Sequence, residues 1–288
     1  MDLAFPIALS LIAAAMWGIS AHIQRLGLDG TDALTGAFVS VGTGALLMWS
    51  AAPFFVQSAW WTHPATLIFL AVGVIFPALG QRFQIASVDL VGASLTASLS
   101  SAAPVVAVTI GVLLLGETLG LQGALGIAIM VTGFVLATHS PRGIKRGFPV
   151  WALFVPVGAA VVRGIAQPGL KLGLSDLPSP AFALLIGTTM STVTLGLLLL
   201  PRAVRGRVSL GGGWIWFVLN GAMFSLGILC LNMALSRGTV TLVSPLAATT
   251  PLWTLAFGAL LFKREQLGLK HLAIALMVVI GAALIVTR

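Results

Sequence analysis

One stretch of the chain occurs twice, and this duplication constrains the fold more than any other feature of the sequence. The first copy runs from Ala86 to Glu117 and the second from Ala234 to Glu265. Each copy crosses a short polar step, continues with small and hydroxylated residues, reaches a proline (Pro104 or Pro251) and ends at a glutamate. Such a repeat at a long, fixed period indicates an internal duplication, so we interpret the chain as two related halves.

The composition indicates that both halves lie in a membrane. Hydrophobic residues make up 58% of the 288 residues and charged residues only 8%, whereas a water-soluble domain is about a quarter charged. The single cysteine, Cys230, excludes a disulfide within the chain and a cysteine-based metal cluster. The basic start and cleavage site of a secretory signal are absent, so the segment from Leu3 is expected to be a spanning helix.

About ten apolar segments have nearly the length of about 20 residues that a helix needs to cross a bilayer. Their continuous apolar character disfavours transmembrane strands, which alternate. Five helices in each half is an odd number, so the second half must enter the membrane from the opposite side. We predict an all-α integral membrane protein with ten transmembrane helices in two inverted five-helix repeats, at 1–140 and 147–288, which suits alternating access. The segments lie at 3–23, 33–52, 65–87, 93–115, 119–138, 149–170, 180–200, 213–236, 240–262 and 268–286.

The order of these features resembles the drug/metabolite transporter superfamily, EamA type. Two positions depart from that pattern, because Arg163-Gly164 replaces a Trp-Gly-like pair and Arg264 replaces the glycine before Glu265. The resemblance implies a ten-helix carrier, without a cofactor, that commonly exports amino acids or similar small metabolites, with membrane lipid around it. The matching residues are Trp17-Gly18, Pro104, Leu115-Gly116-Glu117, Gly126 and Gly133 in the first half, and Ala234, Pro251, Glu265 and Gly281 in the second.

The plainest candidate for binding chemistry is Arg163, which lies well inside the sixth segment. A charge near the membrane midplane costs about 2.5–3.5 kcal/mol on insertion scales, and such residues usually face a cavity or a partner. Gln167 follows four residues later on the same helix face, and Pro168 leaves the carbonyl of Gly164 without its helical partner. A guanidinium is a planar fork that matches carboxylate or phosphate, so we predict that Arg163 binds the anionic group of a solute.

Further predicted substrate-binding residues lie in the first, third and eighth segments. Arg82 has two alternatives, because it could instead snorkel to the interface or pair with Asp89. Amides such as Gln84 and Asn232 are more often contacts between helices, worth about 0.6 kcal/mol on average, than solute ligands. The complete predicted set is Arg163, Gln167, Arg82, Gln81, His22, Trp17, Gln84 and Asn232.

The duplicated stretches also suggest moving parts. Small residues fill Gly92–Ala103 and Thr239–Thr250, and they let helices approach closely and slide, although ordinary tight packing would explain them as well. The prolines that follow, Pro104 and Pro251, should bend their helices, and we predict that they act in gating. The glutamates at the segment boundaries, Glu117 and Glu265, are expected to be solvated loop acids.

Other function classes find little support. The sequence has no HExxH, phosphate-loop or nucleophile-elbow motif, and its four histidines are scattered, so we predict neither an enzyme nor a metal site. The +8 charge is spread over short loops, which disfavours nucleic acid as a partner. The seven acids fall at or near segment ends, whereas a carrier of lipophilic cations needs a carboxylate at membrane depth.

We therefore predict a secondary transporter that exports amino acids or other carboxylate-bearing solutes by alternating access, in a bacterial inner membrane. The solute is expected to be anionic or zwitterionic, and a homodimer remains open. The alternatives are a multidrug or cation exporter of the same superfamily, a membrane-embedded enzyme, a lipid flippase or a structural or receptor subunit.

The distribution of basic residues predicts the orientation. Ten of them lie in the connections on one side and three, Lys171, Arg237 and Arg288, on the side of the termini. The positive-inside rule then places both termini outside the cytoplasm, whereas the resemblance implies the reverse. We expect the charge bias to decide, so a C-terminal alkaline phosphatase fusion should be active in bacterial cells; an inactive fusion would contradict this. The ten residues are Arg25, Arg142, Lys145, Arg146, Arg202, Arg205, Arg207, Lys263, Arg264 and Lys270.

Overall fold

The computed structural model describes residues 3–28, 31–91, 99, 102–138, 147–206, 208, 210–261 and 269–287. Every regular element within these ranges is helical, which confirms the predicted all-α class. The α-helices are α1 (Ala4–Leu28), α2 (Ala33–Ala51), α3 (Ala65–Gly73), α4 (Gly80–Val91), α5 (Ala103–Leu115), α6 (Leu121–Thr138), α7 (Phe154–Asp176), α8 (Pro180–Val204), α9 (Trp214–Arg237), α10 (Val240–Ala247), α11 (Thr250–Leu260) and α12 (Leu269–Val286).

Six of the described helical stretches are long and apolar enough to cross a membrane on their own. Shorter apolar helices occur in the third, fourth, fifth and tenth predicted segments, so the ten segments all carry helix. The six long stretches are Ala4–Leu28, Ala33–Phe54, Val150–Asp176, Pro180–Val204, Trp214–Arg237 and Val240–Leu260.

Two of the predicted spanning helices are interrupted. The sequence predicts one helix over 65–87, but α3 and α4 are separated at Val74–Leu79, where Phe76 has extended angles (φ −137°, ψ 133°) and Pro77 follows. Proline has no N–H to donate to the carbonyl four residues earlier. The Ser191 hydroxyl of α8 donates to that carbonyl, on Gly73, instead. The ninth segment is likewise divided into α10 and α11.

The sixth segment is longer than predicted. Its expected end at residue 170 is wrong, because α7 continues to Asp176. The following Pro178 explains the end of the helix, since a residue before proline avoids helical angles. Lys171, which the orientation argument assigns to a connection, therefore lies within α7 and is half-buried.

The two halves pack against each other through several helix pairs. Helix α1 lies along α9, α2 contacts α8 and α9, and α6 runs beside α12. Glycines allow the closest approaches, because a Cβ on Gly126 would come within 2.6 Å of the Gly281 carbonyl, and one on Gly221 would overlap the Ser40 carbonyl. The duplicated halves therefore form one bundle through backbone-to-backbone contact.

A buried polar network reinforces this packing. Asn220 of α9 is 3% exposed; its Oδ1 accepts from the Ser20 hydroxyl at 2.6 Å, and its Nδ2 donates to Ser40 Oγ at 2.8 Å. Ser40 Oγ in turn donates to the carbonyl of Phe217 at 3.0 Å. These bonds join α1, α2 and α9, and no polar group in the chain of contacts from Ser20 to Phe217 is left without a partner.

We predict that the glycine contact between α9 and α2 is essential for stability. Gly221→Ala forces a methyl group onto the backbone of α2, which should cost about 1–3 kcal/mol as overpacking and lower the unfolding temperature in detergent. Gly187→Ala is the matched control, because a Cβ there meets nothing within 4 Å and alanine favours the helix. An equal unfolding temperature for the two variants would contradict the prediction.

Candidate functional site

A cavity of about 180 Å³ lies between the two halves. The first half contributes residues of α1 and the break before Pro77, and the second half contributes residues of α7, α9 and α11. Discontinuous helices at the interface between repeats are typical of substrate sites in transport proteins. The lining residues are Trp17, Ser20, Ala21, Gln24, Phe76, Arg163, Ala166, Gln167, Leu170, Phe224, Leu231 and Thr250.

Arg163 is the charged residue of this lining. No hydrogen bond or ion pair joins its guanidinium to another residue that the structure describes. The next residue, Gly164, packs directly on α5, since a Cβ there would lie 2.5 Å from Val106 Cβ. Helix α7 is therefore held against α5 while the guanidinium borders the cavity. An arginine at membrane depth needs an anion, a polar group or water as its partner.

Gln167 lies one turn further along α7 and is 7% exposed. Its Oε1 is buried and has no hydrogen-bond partner within the described part of the chain. A buried carbonyl oxygen left in this way carries a desolvation cost of about 1–3 kcal/mol. The cavity therefore presents a free cationic fork and, beside it, a free acceptor oxygen.

Aromatic rings form much of the remaining wall. The Trp17 indole N–H donates to the Phe224 carbonyl at 3.3 Å, and the two rings lie 6.2 Å apart. Phe76, in the break of the third segment, lies 6.5 Å from the Phe224 ring. Only a glycine fits at position 227 beside the indole, because a Cβ there would come within 2.5 Å of Trp17 Nε1. The indole is thereby fixed against α9 at the edge of the cavity.

Three of the predicted ligands lie away from the cavity, and two of them make other contacts. His22 is 8% exposed, and its Nε2 lies 2.8 Å from the Thr254 carbonyl; because a carbonyl only accepts, this nitrogen carries the hydrogen. Asn232 is fully buried and donates to the Pro180 carbonyl at 3.3 Å, while its Oδ1 has no partner among the described residues. Arg82 is exposed on α4. None of the three belongs to the lining of the cavity, and their role as solute ligands stays a prediction.

The remaining predicted residues are placed only in part. The side chains of Gln81 and Gln84 lie outside those that the structure describes, as does Glu265. Pro104 and Pro251 occupy the first turns of α5 and α11. Pro251 has no N–H to donate to the Ala247 carbonyl, and the Thr250 hydroxyl donates to this carbonyl instead, at 2.9 Å. Whether these prolines act in gating stays a prediction.

Several lining residues were not predicted from the sequence. Phe76 could have been found, because Pro77 interrupts an otherwise apolar segment and broken helices often line membrane cavities. Phe224, Ser20 and Thr250 carry no comparable local signal, because hydrophobic and hydroxylated residues are common throughout the segments. Their position depends on how the halves pack.

The expectation of a solvated loop acid is wrong for Glu117. Its side chain is half-buried, and its carboxylate accepts hydrogen bonds from the backbone N–H groups of Val240 at 2.7 Å and Thr241 at 2.8 Å. These donors begin α10 in the other half, so the acid joins the two halves at one end of the bundle.

Comparisons with known proteins agree with this architecture. The model of the EamA-like transporter family matches the chain twice, at residues 4–138 and 150–287. A protein of known crystal structure shares the fold with a TM-score of 0.79 and 16% sequence identity, over 97% of this chain and 95% of that chain. No curated protein sequence matches the chain.

We predict that Gln167 and Asn220 respond oppositely to loss of their amides. Gln167→Met removes an oxygen without a partner, so the thermal unfolding temperature of the empty protein in detergent should stay equal or rise. Asn220→Leu leaves two serine hydroxyls without their amide, which should cost about 1–3 kcal/mol and lower that temperature. A similar loss in both variants would show that Gln167 is a structural contact rather than a free group of the cavity.

Proposed function

The chain belongs to the EamA-like transporter family, and on that premise we propose that it is a secondary carrier of small carboxylate-bearing solutes. The solute occupies the cavity between the halves and crosses the membrane by alternating access, in the export direction, across a bacterial inner membrane. Amino acids and organic acids are the proposed substrate classes. The energy comes from an ion gradient or from the gradient of the solute itself.

The observation that carries this proposal is the guanidinium of Arg163 on the cavity, which no residue in the described part of the chain binds. A planar fork binds a carboxylate through two parallel hydrogen bonds. Low dielectric around the cavity strengthens the attraction, and the same surroundings make an unpaired charge costly. A bound anion would therefore supply the Arg163 guanidinium with a partner of opposite charge.

The neighbouring Gln167 refines the substrate class. Its buried Oε1 accepts no hydrogen bond from the described residues, so it suits a donor on the solute. An α-amino acid presents an acceptor carboxylate and a donor ammonium on the same carbon atom, which matches Arg163 and Gln167 one turn apart. The cavity volume of about 180 Å³ is below the range of about 300–1,000 Å³ typical of sites for drug-sized ligands, which favours a small solute.

The alternative of a multidrug or cation exporter is less well supported. A lipophilic cation needs an acidic partner at membrane depth, and the lining residues that the structure describes include no acid. Of the acids described, Asp176 is exposed at the end of α7, Asp32 pairs with Arg202 at the surface, and Glu117 caps α10. The aromatic rings remain compatible with a cation, so the transport assay must include one.

Counterflow in proteoliposomes tests the proposal. Vesicles loaded with one unlabelled solute are mixed with a trace of the same solute in labelled form, and uptake above that of protein-free vesicles is measured. The panel contains neutral amino acids, dicarboxylic acids, phosphorylated sugars and quaternary ammonium dyes. We expect accumulation of amino acids or organic acids. Accumulation of the dyes alone would contradict the proposal and favour the multidrug alternative.

Substitution of Arg163 gives the sharpest prediction. Charged hydrogen bonds contribute about 1.5–3 kcal/mol each, so Arg163→Ala, which removes two of them, should reduce counterflow by about a hundredfold or more. Arg163→Lys keeps the charge but loses the fork, and a reduction of about tenfold is expected. Arg202→Gln is the matched control, because this arginine makes an exposed ion pair with Asp32 and such pairs contribute only about 0–1 kcal/mol. Parental counterflow in Arg163→Ala would refute the assigned role.

A further inference from the structure

Glu117 occupies a backbone position that fixes the direction of its side chain. Helix α5 ends at Leu115, and Gly116 follows with a positive φ of 65°. The N–H groups of Gly116 and Glu117 both donate to the Gly111 carbonyl. Glycine is favoured at such a helix end because left-handed angles cost it little. The chain therefore reverses at a defined place, with the carboxylate of Glu117 beside the start of α10.

The carboxylate replaces the local cap of α10. Thr239 stands at the N-cap position, where a threonine hydroxyl ordinarily accepts from the first turn, but it makes no such bond and accepts from the Thr241 hydroxyl at 3.0 Å. The first-turn N–H groups of Val240 and Thr241 are bound by Glu117, 123 and 124 positions away in the chain. One half of the molecule thus supplies the cap of a helix in the other half.

A lysine of the second half is bound near the same end of the bundle. The Nζ of Lys171 on α7 donates to the Leu235 carbonyl at 2.8 Å, and among the described contacts it makes no ion pair with Glu117, so its charge adds only a longer-range attraction for that carboxylate. Gly111 permits the close approach, because a Cβ there would lie 3.2 Å from Glu117 Oε2. A carboxylate at a helix N-terminus is favoured by the helix dipole. Through Glu117, the end of α5 in the first half is joined to the start of α10 in the second.

We propose that Glu117 is a latch between the halves that keeps one end of the carrier closed. This end, the latch end, is the one where α5 and α9 finish and α10 begins. The proposal rests on the proposed alternating access, in which the two ends of the cavity open in turn. Solute passes at the latch end only after the carboxylate has left the first turn of α10.

The position of the latch relative to the cavity supports this role. Residues Arg163, Gln167 and Lys171 follow each other at four-residue spacing on α7, so they lie along one face. This row of polar residues begins at the cavity and ends at Lys171, which donates to the Leu235 carbonyl near the latch end. Helix α10 continues into α11, whose Thr250 lines the cavity. Separation of α5 from α10 and α7 would therefore open a polar route from the cavity to the latch end.

Accessibility of a cysteine in the cavity tests the latch without any transported solute. The reporter is Ala21→Cys, at an exposed position of the lining, in a Cys230→Ser background. A membrane-impermeant thiol reagent is added to one side of oriented vesicles at a time. In Glu117→Gln, which keeps the shape but removes the charge, labelling from the latch end should become about tenfold faster, because charged hydrogen bonds are weakened. Labelling from the opposite end should become slower.

The two-sided measurement separates a latch from a merely structural contact. In alternating access, a shift of the population toward one open state depletes the other. Loosening of the whole protein would instead accelerate labelling from both ends, and that result would overturn the proposal. Unchanged labelling from the latch end would overturn it as well. Neither result depends on which solute is carried, so a failure of the latch is distinguishable from a failure of the carboxylate assignment.

A second variant removes the other side of the same bond. Val240→Pro deletes one of the two donors, and proline is tolerated at the first position of a helix. It should change labelling in the same direction as Glu117→Gln, and the double variant should change it no further than the stronger single one. Asp176→Asn removes an exposed acid at the end of α7 and is the charge control, with labelling expected at the parental rate. Independent, additive effects of the two single variants would contradict the shared bond.

Discussion

The interior of a bilayer offers no water to backbone groups, so every interruption of a helix must be satisfied from within the protein. The structure meets this requirement with side chains at three of the helix interruptions and ends that it describes. Ser191 donates to the carbonyl that Pro77 leaves free, Thr250 does the same for Ala247, and Glu117 caps the first turn of α10. Two of these three partners come from the other half of the chain. The breaks that shape the cavity thereby also hold the two halves together.

Against that background, the cavity is marked by the guanidinium of Arg163, which no described residue binds, and by the buried Oε1 of Gln167. The internal repeat places Trp17-Gly18 and Arg163-Gly164 in corresponding positions, and their glycines make corresponding contacts. Gly18 meets the backbone of α11 near Trp253, and Gly164 meets α5 near Ala103. The residue before each glycine borders the cavity. With a tryptophan at one of these two positions and an arginine at the other, the cavity is aromatic on one side and cationic on the other.

The sequence predicts the number and order of the spanning segments well and the partners of individual side chains poorly, for a physical reason. Hydrophobic length and the repeat determine which segments span, and depth within a segment is enough to find Arg163 and, by helical spacing, Gln167. The contacts of His22, Asn232 and Glu117 depend on partners far away in the chain, which local spacing does not specify. In the sequence, Glu117 looks like a solvated loop acid, because the N–H groups that bind it belong to a distant helix of the other half.

In the proposed mechanism, Arg163 of α7 binds the solute whereas the latch residue Glu117 follows α5, and this separation constrains how binding and gating are coupled. Arg163 and Lys171 lie eight residues apart on α7, or about 12 Å at 1.5 Å per residue. A ligand shifts a conformational equilibrium only by its difference in affinity for the two states. A solute held by Arg163 can thus weaken the latch only if α7 is displaced as a unit. The direct contact of Gly164 with α5, the helix that carries Glu117 at its end, provides that mechanical link, because a shift of α7 at the cavity must also move α5.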